Sequence, residues 1–170
     1  MKFSRKQFLS SSLAGLTGAA VLRPTGMAAQ LVDTSHDWSR RHFHAVMTQT
    51  ARYRQVFDVI HINDGGFLNN IKNSLNGFQF GFGLATTDAH IVAALHGPAN
   101  LLNFDDSMWA KYRLGEWQQV LDPRTHQPAM RNVFYPSAAD PKNHDPNDER
   151  SIYQDRSMQG LQRRGVHFFT

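Results

Sequence analysis

Two short apolar runs restrict the fold of this chain more than any other feature. Val56-Phe57-Asp58-Val59-Ile60-His61-Ile62 and His90-Ile91-Val92-Ala93-Ala94-Leu95-His96 are rich in β-branched residues. Asn63-Asp64-Gly65-Gly66 stops the first run and Gly97-Pro98 stops the second, so both read as strands that end in tight turns. From Asn63 to Ala89 there are 27 residues, in which Phe67, Ile71, Leu75 and Phe78 recur at helical spacing. A link of that length with a helix inside suits a right-handed crossover between parallel strands. The near-continuous apolar character of the second run fits a strand covered on both faces. Val166-His167-Phe168-Phe169 supplies a third strand. The expected fold class is therefore α/β: a small, flavodoxin-like three-layer sandwich with a mostly parallel sheet.

Other segments fill in around these strands. Trp38 to Val56 reads as a helix with Phe43, Val46, Met47, Thr50 and Tyr53 on one face, capped by Asp37 or Ser39. Ser107 to Leu114 reads as a short helix capped by Asp105 or Asp106, closed by Gly115, with Met108, Trp109 and Tyr112 facing inward. Ile152 to Gln162 reads as a last helix ending near Gly165. Residues 122–150 hold five of the seven prolines and read as a long polar loop: a lid, an assembly contact or an insert. The chain stops on the third strand. The covering helix of an open α/β sheet is thus expected to be lacking, through truncation or because a partner subunit covers that edge.

The first 29 residues differ from the rest. Lys2, Arg5 and Lys6 precede an uncharged run from Leu13 to Leu22, then Arg23-Pro24 and the small residues Gly26, Ala28 and Ala29. That order is a secretory signal peptide. Its apolar run is half the roughly 20 residues that span a bilayer, so no membrane span is expected once the leader is removed. Ser4-Arg5-Lys6-Gln7-Phe8-Leu9 resembles the twin-arginine (Tat) consensus, with Lys6 in place of the second arginine; an ordinary Sec leader is the other reading. Residues 30–170 would form the mature domain, in the periplasm. Four of the 18 basic residues (Lys2, Arg5, Lys6, Arg23) and none of the 14 acidic ones lie in the leader. The remainder is balanced, 14 against 14, and the bulk charge signal for nucleic acid disappears. Arg40-Arg41 and Arg163-Arg164 read as solvated pairs. The absence of cysteine excludes disulfides, thiolate metal ligands, iron–sulfur clusters and a cysteine nucleophile in this sequence.

In parallel sheets, ligands bind outside the carboxyl ends of the strands. His61, Asn63 and Asp64 fall there after the first strand, and His96 after the second. Gly65-Gly66 lets a helix N-terminus approach, where free N–H groups favour an anion. The bland readings are a hydrogen-bonded structural histidine for His61, a helix cap for Asp64 and core packing for Trp109. No GxGxxG, phosphate loop, HExxH or GxSxG motif is present. Histidine spacing argues against a metal: His42 and His44 point to different sides of a helix. His90 and His96 are roughly 20 Å apart at about 3.3 Å per residue. A site made from His61, His96 and either His126 or His144 is the one metal arrangement left open.

Several segments together resemble the DsrE/DsrF-like family, in particular its exported members with a twin-arginine leader. They are Phe57-Asp58-Val59, Lys72-Asn73-Ser74-Leu75-Asn76-Gly77, Leu95-His96-Gly97-Pro98-Ala99, residues Asp106 to Tyr112, Arg131-Asn132 and Leu161 to Val166. The resemblance implies a small α/β fold, assembly as trimers or hexamers, and sulfur-related chemistry through a cysteine. This chain has no cysteine, so thiol relay is not available to it. The resemblance also directs attention to a rim around Asn73, His96 and Asn132. The leading expectation is an accessory protein that binds a small, anionic ligand through His61, Asn63, Asp64, Asn73, His96 and Asn132, with no cofactor assigned. The alternative is a histidine- or metal-dependent periplasmic enzyme acting on a small sulfur or redox compound.

Overall fold

The sheet is built from the three apolar runs, all parallel, in the order β1-β2-β3. The computed structural model of the chain describes residues 39–170. The leader read over residues 1–29, and the start proposed for the first helix at Trp38, lie outside those residues. The described residues fall in two units, one ending at His44 and one running from Ala45 to Thr170. In the first, the Ser39 hydroxyl accepts from the His42 N–H at 3.1 Å, as an N-cap does. It opens helix α1, Arg40–Met47.

Strand β1 spans Tyr53–Val59, helix α2 Gly66–Asn76 and strand β2 Ala89–Leu95. Short helices follow: α3 (Asp106–Lys111), α4 (Leu114–Trp117) and α5 (Met158–Arg163). Strand β3 is His167–Phe169. The expected helix over Trp38 to Val56 is shorter, because pairing of Tyr53 with Ala89 draws the chain into the sheet three residues before Val56. Tyr53 fits both a helical and a strand period, and tertiary pairing decides. Ile60 to Ile62 leave the strand: the Ile60 carbonyl accepts from the Ala99 N–H and the Ile62 carbonyl from the Gly65 N–H.

Register assigns the faces. Tyr53 pairs with Ala89 and Val59 with Leu95, and Val92 pairs with His167. Side chains alternate along a strand, so Val59, Ile91, Ala93 and Leu95 share one face. These join the core with Leu68, Ile71 and Leu75 of α2, Trp109 of α3 and Leu161 of α5. Trp109 is fully buried, and its indole N–H donates to the Leu101 carbonyl at 3.1 Å. The other face carries Arg54, Val56, Asp58, His90, Val92, Ala94, His167 and Phe169. None of these belongs to the core cluster, and Val56 is 68% exposed. The described residues thus form a small α/β fold with a three-stranded, all-parallel sheet, whose second face combines a buried His90 with the exposed Val56.

Two helices depart from expectation. Asp105, not Asp106, caps α3: its carboxylate accepts from Met108 N–H at 2.9 Å and the Ser107 hydroxyl at 2.6 Å. Those bonds, the hydroxyl first, hold its pKa below the usual carboxylate value. Arg113 at φ 50° breaks the helix, Tyr112 turns outward, and Gly115 lies inside α4 instead of closing α3. Gly115 is there because a Cβ would overlap the Ala129 backbone. The last helix begins at Met158 instead of Ile152, capped by the Ser157 hydroxyl, which accepts from Gly160 N–H at 2.9 Å.

The proline-rich stretch 122–150 is ordered by local turns. Asp122, Asn132, Asp140, Asn143, Asp145 and Asp148 each accept from a backbone N–H two residues on. This is the reason Asp and Asn are favoured in turns. The Asp122 carboxylate also receives Arg131 at 2.8 Å, and the two bonds, the backbone one first, lower its pKa. Tyr153 anchors the far end: its carbonyl accepts from Asn76, its hydroxyl from Gln79, and its ring lies under the Arg164 guanidinium.

Gly115→Ala must displace backbone and should cost about 3 kcal/mol or more in a denaturant titration. His90 is buried and its Nε2 has no partner; burial, then the Arg54 charge, lowers its pKa from 6.5. The unfolded chain therefore takes up the proton more readily. Stability is intact above pH 6.5 and declines as the pH falls from 6.5 toward the lower folded value. Thermal unfolding from pH 7.5 to 5 should show that decline, and His90→Phe should flatten it.

Candidate functional site

Because β1 and β2 are parallel neighbours, the turns that follow them lie at the same end of the sheet. At that end Asn63, Asp64 and Gly65 have φ of 40°, 53° and 74° in succession. Left-handed backbone costs an ordinary L-residue roughly 1–2 kcal/mol, least for Asn and Asp. Gly65 is required on a second count, since a Cβ would come 2.8 Å from the Phe134 ring. The turn delivers the chain into α2, whose first N–H groups have no side-chain cap.

Beside this turn is a cavity of about 620 Å³. Leu68 and Phe134 give it apolar walls, and Asp64, Asp155 and Arg156 give it charge. The Asp155 carboxylate is fixed: one oxygen accepts from the Ser137 hydroxyl at 2.5 Å and the other from the Ser157 N–H at 2.8 Å. Gly160 makes room for it, since a Cβ there would overlap the Asp155 carboxylate. Arg156 is exposed and supplies the cationic group of the wall.

The residues singled out from the sequence are distributed over several places. Asp64 lines the cavity, and Asn63 is exposed in the same left-handed turn. His61 is exposed just before it. Asn73 is also exposed, seven residues into α2 and so about 10 Å along the helix from the turn. His96 does not line the cavity. Its Nε2 lies 3.0 Å from Oδ1 of Asp58, and both side chains are more than half exposed. Asn132 is buried and committed to structure. Its amide N–H₂ donates to the Leu102 carbonyl at 2.7 Å, and its Oδ1 accepts from Phe134 N–H. Its own backbone N–H donates to the Asp106 carboxylate at 2.9 Å. The rim drawn from Asn73, His96 and Asn132 is therefore not one constellation.

Asp155 and Arg156 escaped the sequence reading. They lie in a turn between the polar loop and α5, 91 or more residues from Asp64, and no motif marks them. A second cavity of about 670 Å³ borders Asp105, Asp106, Asn132 and Tyr135. Among the described residues, no three or more His, Cys, Asp or Glu side chains are grouped to hold a metal ion. No helix among them is long and apolar enough to cross a membrane. No family model matches the chain, and no curated protein or solved structure matches it either.

The strained turn gives a direct check. Asp64→Gly should raise unfolding stability by on the order of 0.5–1 kcal/mol, by removing the left-handed strain. A fall in stability would show that the Asp64 side chain holds the turn.

Proposed function

We propose that this chain is an exported, DsrE-like accessory protein of the cell envelope, linked to sulfur metabolism, that holds a small anionic ligand without thiol chemistry of its own. The cavity beside the Asn63-Asp64-Gly65 turn carries the reading. It lies at the carboxyl end of a parallel sheet, the usual ligand position of open α/β folds. Arg156 and the uncapped start of α2 would receive the negative charge. Asp64 and Asp155, both acceptors, would take hydroxyl or N–H groups of the ligand. The segments shared with the DsrE-like pattern also meet in space: Arg164 donates to Asn76 at 2.8 Å, and Asn132 to Asp106.

One observation favours the enzyme reading. The His96–Asp58 pair at 3.0 Å has the geometry by which a carboxylate orients a histidine as a general base. It belongs to the open sheet face, so the two readings place the ligand differently and can be separated.

Sulfite and thiosulfate are suitable probes. Each should raise the thermal midpoint of the protein in a concentration-dependent way. Arg156→Ala should remove the shift and His96→Ala should keep it. Loss on His96→Ala with Arg156→Ala unaffected would move the ligand to the Asp58 face. No shift with either anion up to about tens of millimolar would overturn the anion-binding proposal.

A further inference from the structure

Strand β1 is an edge of the sheet: it pairs with β2 on one side only. The His96 N–H donates to the Val59 carbonyl at 2.8 Å, so Val59 turns its peptide groups toward β2. Peptide groups alternate sides along a strand, as side chains alternate faces. Arg54, Val56 and Asp58 therefore turn their N–H and C=O groups to the free edge. No other strand lies against that edge among the described residues. The same three residues carry their side chains on the face that the core leaves open, and Val56 is 68% exposed. An edge with an apolar centre and an uninterrupted register is a template for another strand.

We propose that the occupant is a second copy of this chain, paired antiparallel through β1 about a two-fold axis at Val56. The sequence of the edge is self-complementary in that register. Val56 faces Val56 of the second copy, Arg54 faces its Asp58, and Asp58 faces its Arg54. All three are the outward-turned positions, so each is a hydrogen-bonded pair and the contact forms about six backbone bonds. Opposite charges directly across antiparallel strands attract, and the symmetry makes the attraction twice. The Asp58 oxygen bound by His96 leaves the second oxygen for the arginine. Moving the two-fold axis by two residues, to Arg54 or to Asp58, sets that charged residue against its own copy, so charge disfavours both of those registers. The product is a continuous six-stranded sheet with one shared open face. A two-fold contact of this kind is compatible with a dimer or a hexamer and not with an isolated trimer.

The interface is small, so the association is weak, on the order of micromolar. Sedimentation of the full chain over a concentration series should show a reversible two-fold step, with the Val56 amide gaining hydrogen-exchange protection as concentration rises. Arg54→Asp or Asp58→Arg alone should weaken it by about tenfold or more, since each sets like charges opposite. The double exchange Arg54→Asp with Asp58→Arg should restore it. Val56→Pro should abolish it while leaving the monomer folded, because the Val56 N–H serves no bond among the described residues. A monomer at every concentration, a trimer, or a dimer indifferent to these changes would overturn the proposal. So would a folded double variant that stays monomeric.

Discussion

The seven in-register pairs between β1 and β2 are the constraint on which the remainder depends. Parallel pairing cannot be closed by a tight hairpin, so the chain must cross over, and the crossover lays α2 on one face. That choice fixes which side chains are inside. Val59, Ile91, Ala93 and Leu95 meet Leu68, Ile71 and Leu75, while Val56 and Asp58 are left outside. A slip of one residue would exchange the two sets. The same pairing brings both strand-end turns to one rim, where the left-handed Asn63-Asp64-Gly65 turn and the cavity occur.

Around this frame, polar side chains act as pins between distant segments. Asn132 ties the loop to the stretch before α3 through Leu102 and to α3 itself through Asp106. Asn76 and Tyr153 tie the far end of the loop to α2, and Arg164 joins α5 to the same cluster. Burial lowers the pKa of Arg164 most, with the Tyr153 and Asp155 charges opposing. Buried polar groups of this kind require partners, which accounts for Asn132 being structural although the sequence suggested a rim residue. Where the loop has no core to pack, consecutive Asx turns hold it. A proline-rich stretch is therefore ordered without helix or strand.

Strand positions were legible because apolar runs bounded by Gly and Pro leave few alternatives. The ends were less so. Tyr53 suited a helix face as well as a strand, and only pairing with Ala89 settled it. Asp105 and Asp106 were equivalent as caps until the carboxylate–Met108 bond distinguished them. Of the expected site residues, Asp64 was placed at a cavity because a turn after a strand is a local feature. His96 was expected beside it but points to the other face, toward Asp58. Strand alternation decides that, and the turn signal alone does not carry it. Asp155 and Arg156 had no local signature, since their closeness to Asp64 is a long-range contact.

The sequence by itself determined the α/β class, the parallel connection of the three strands and the turn that follows β1, because these depend on hydrophobic period and on residues within a few positions. Tertiary structure alone decided which face of the sheet is covered, which polar residues are spent as pins, and which charges border the cavity. Those outcomes depend on contacts between residues far apart in the chain, whose partners no local pattern specifies.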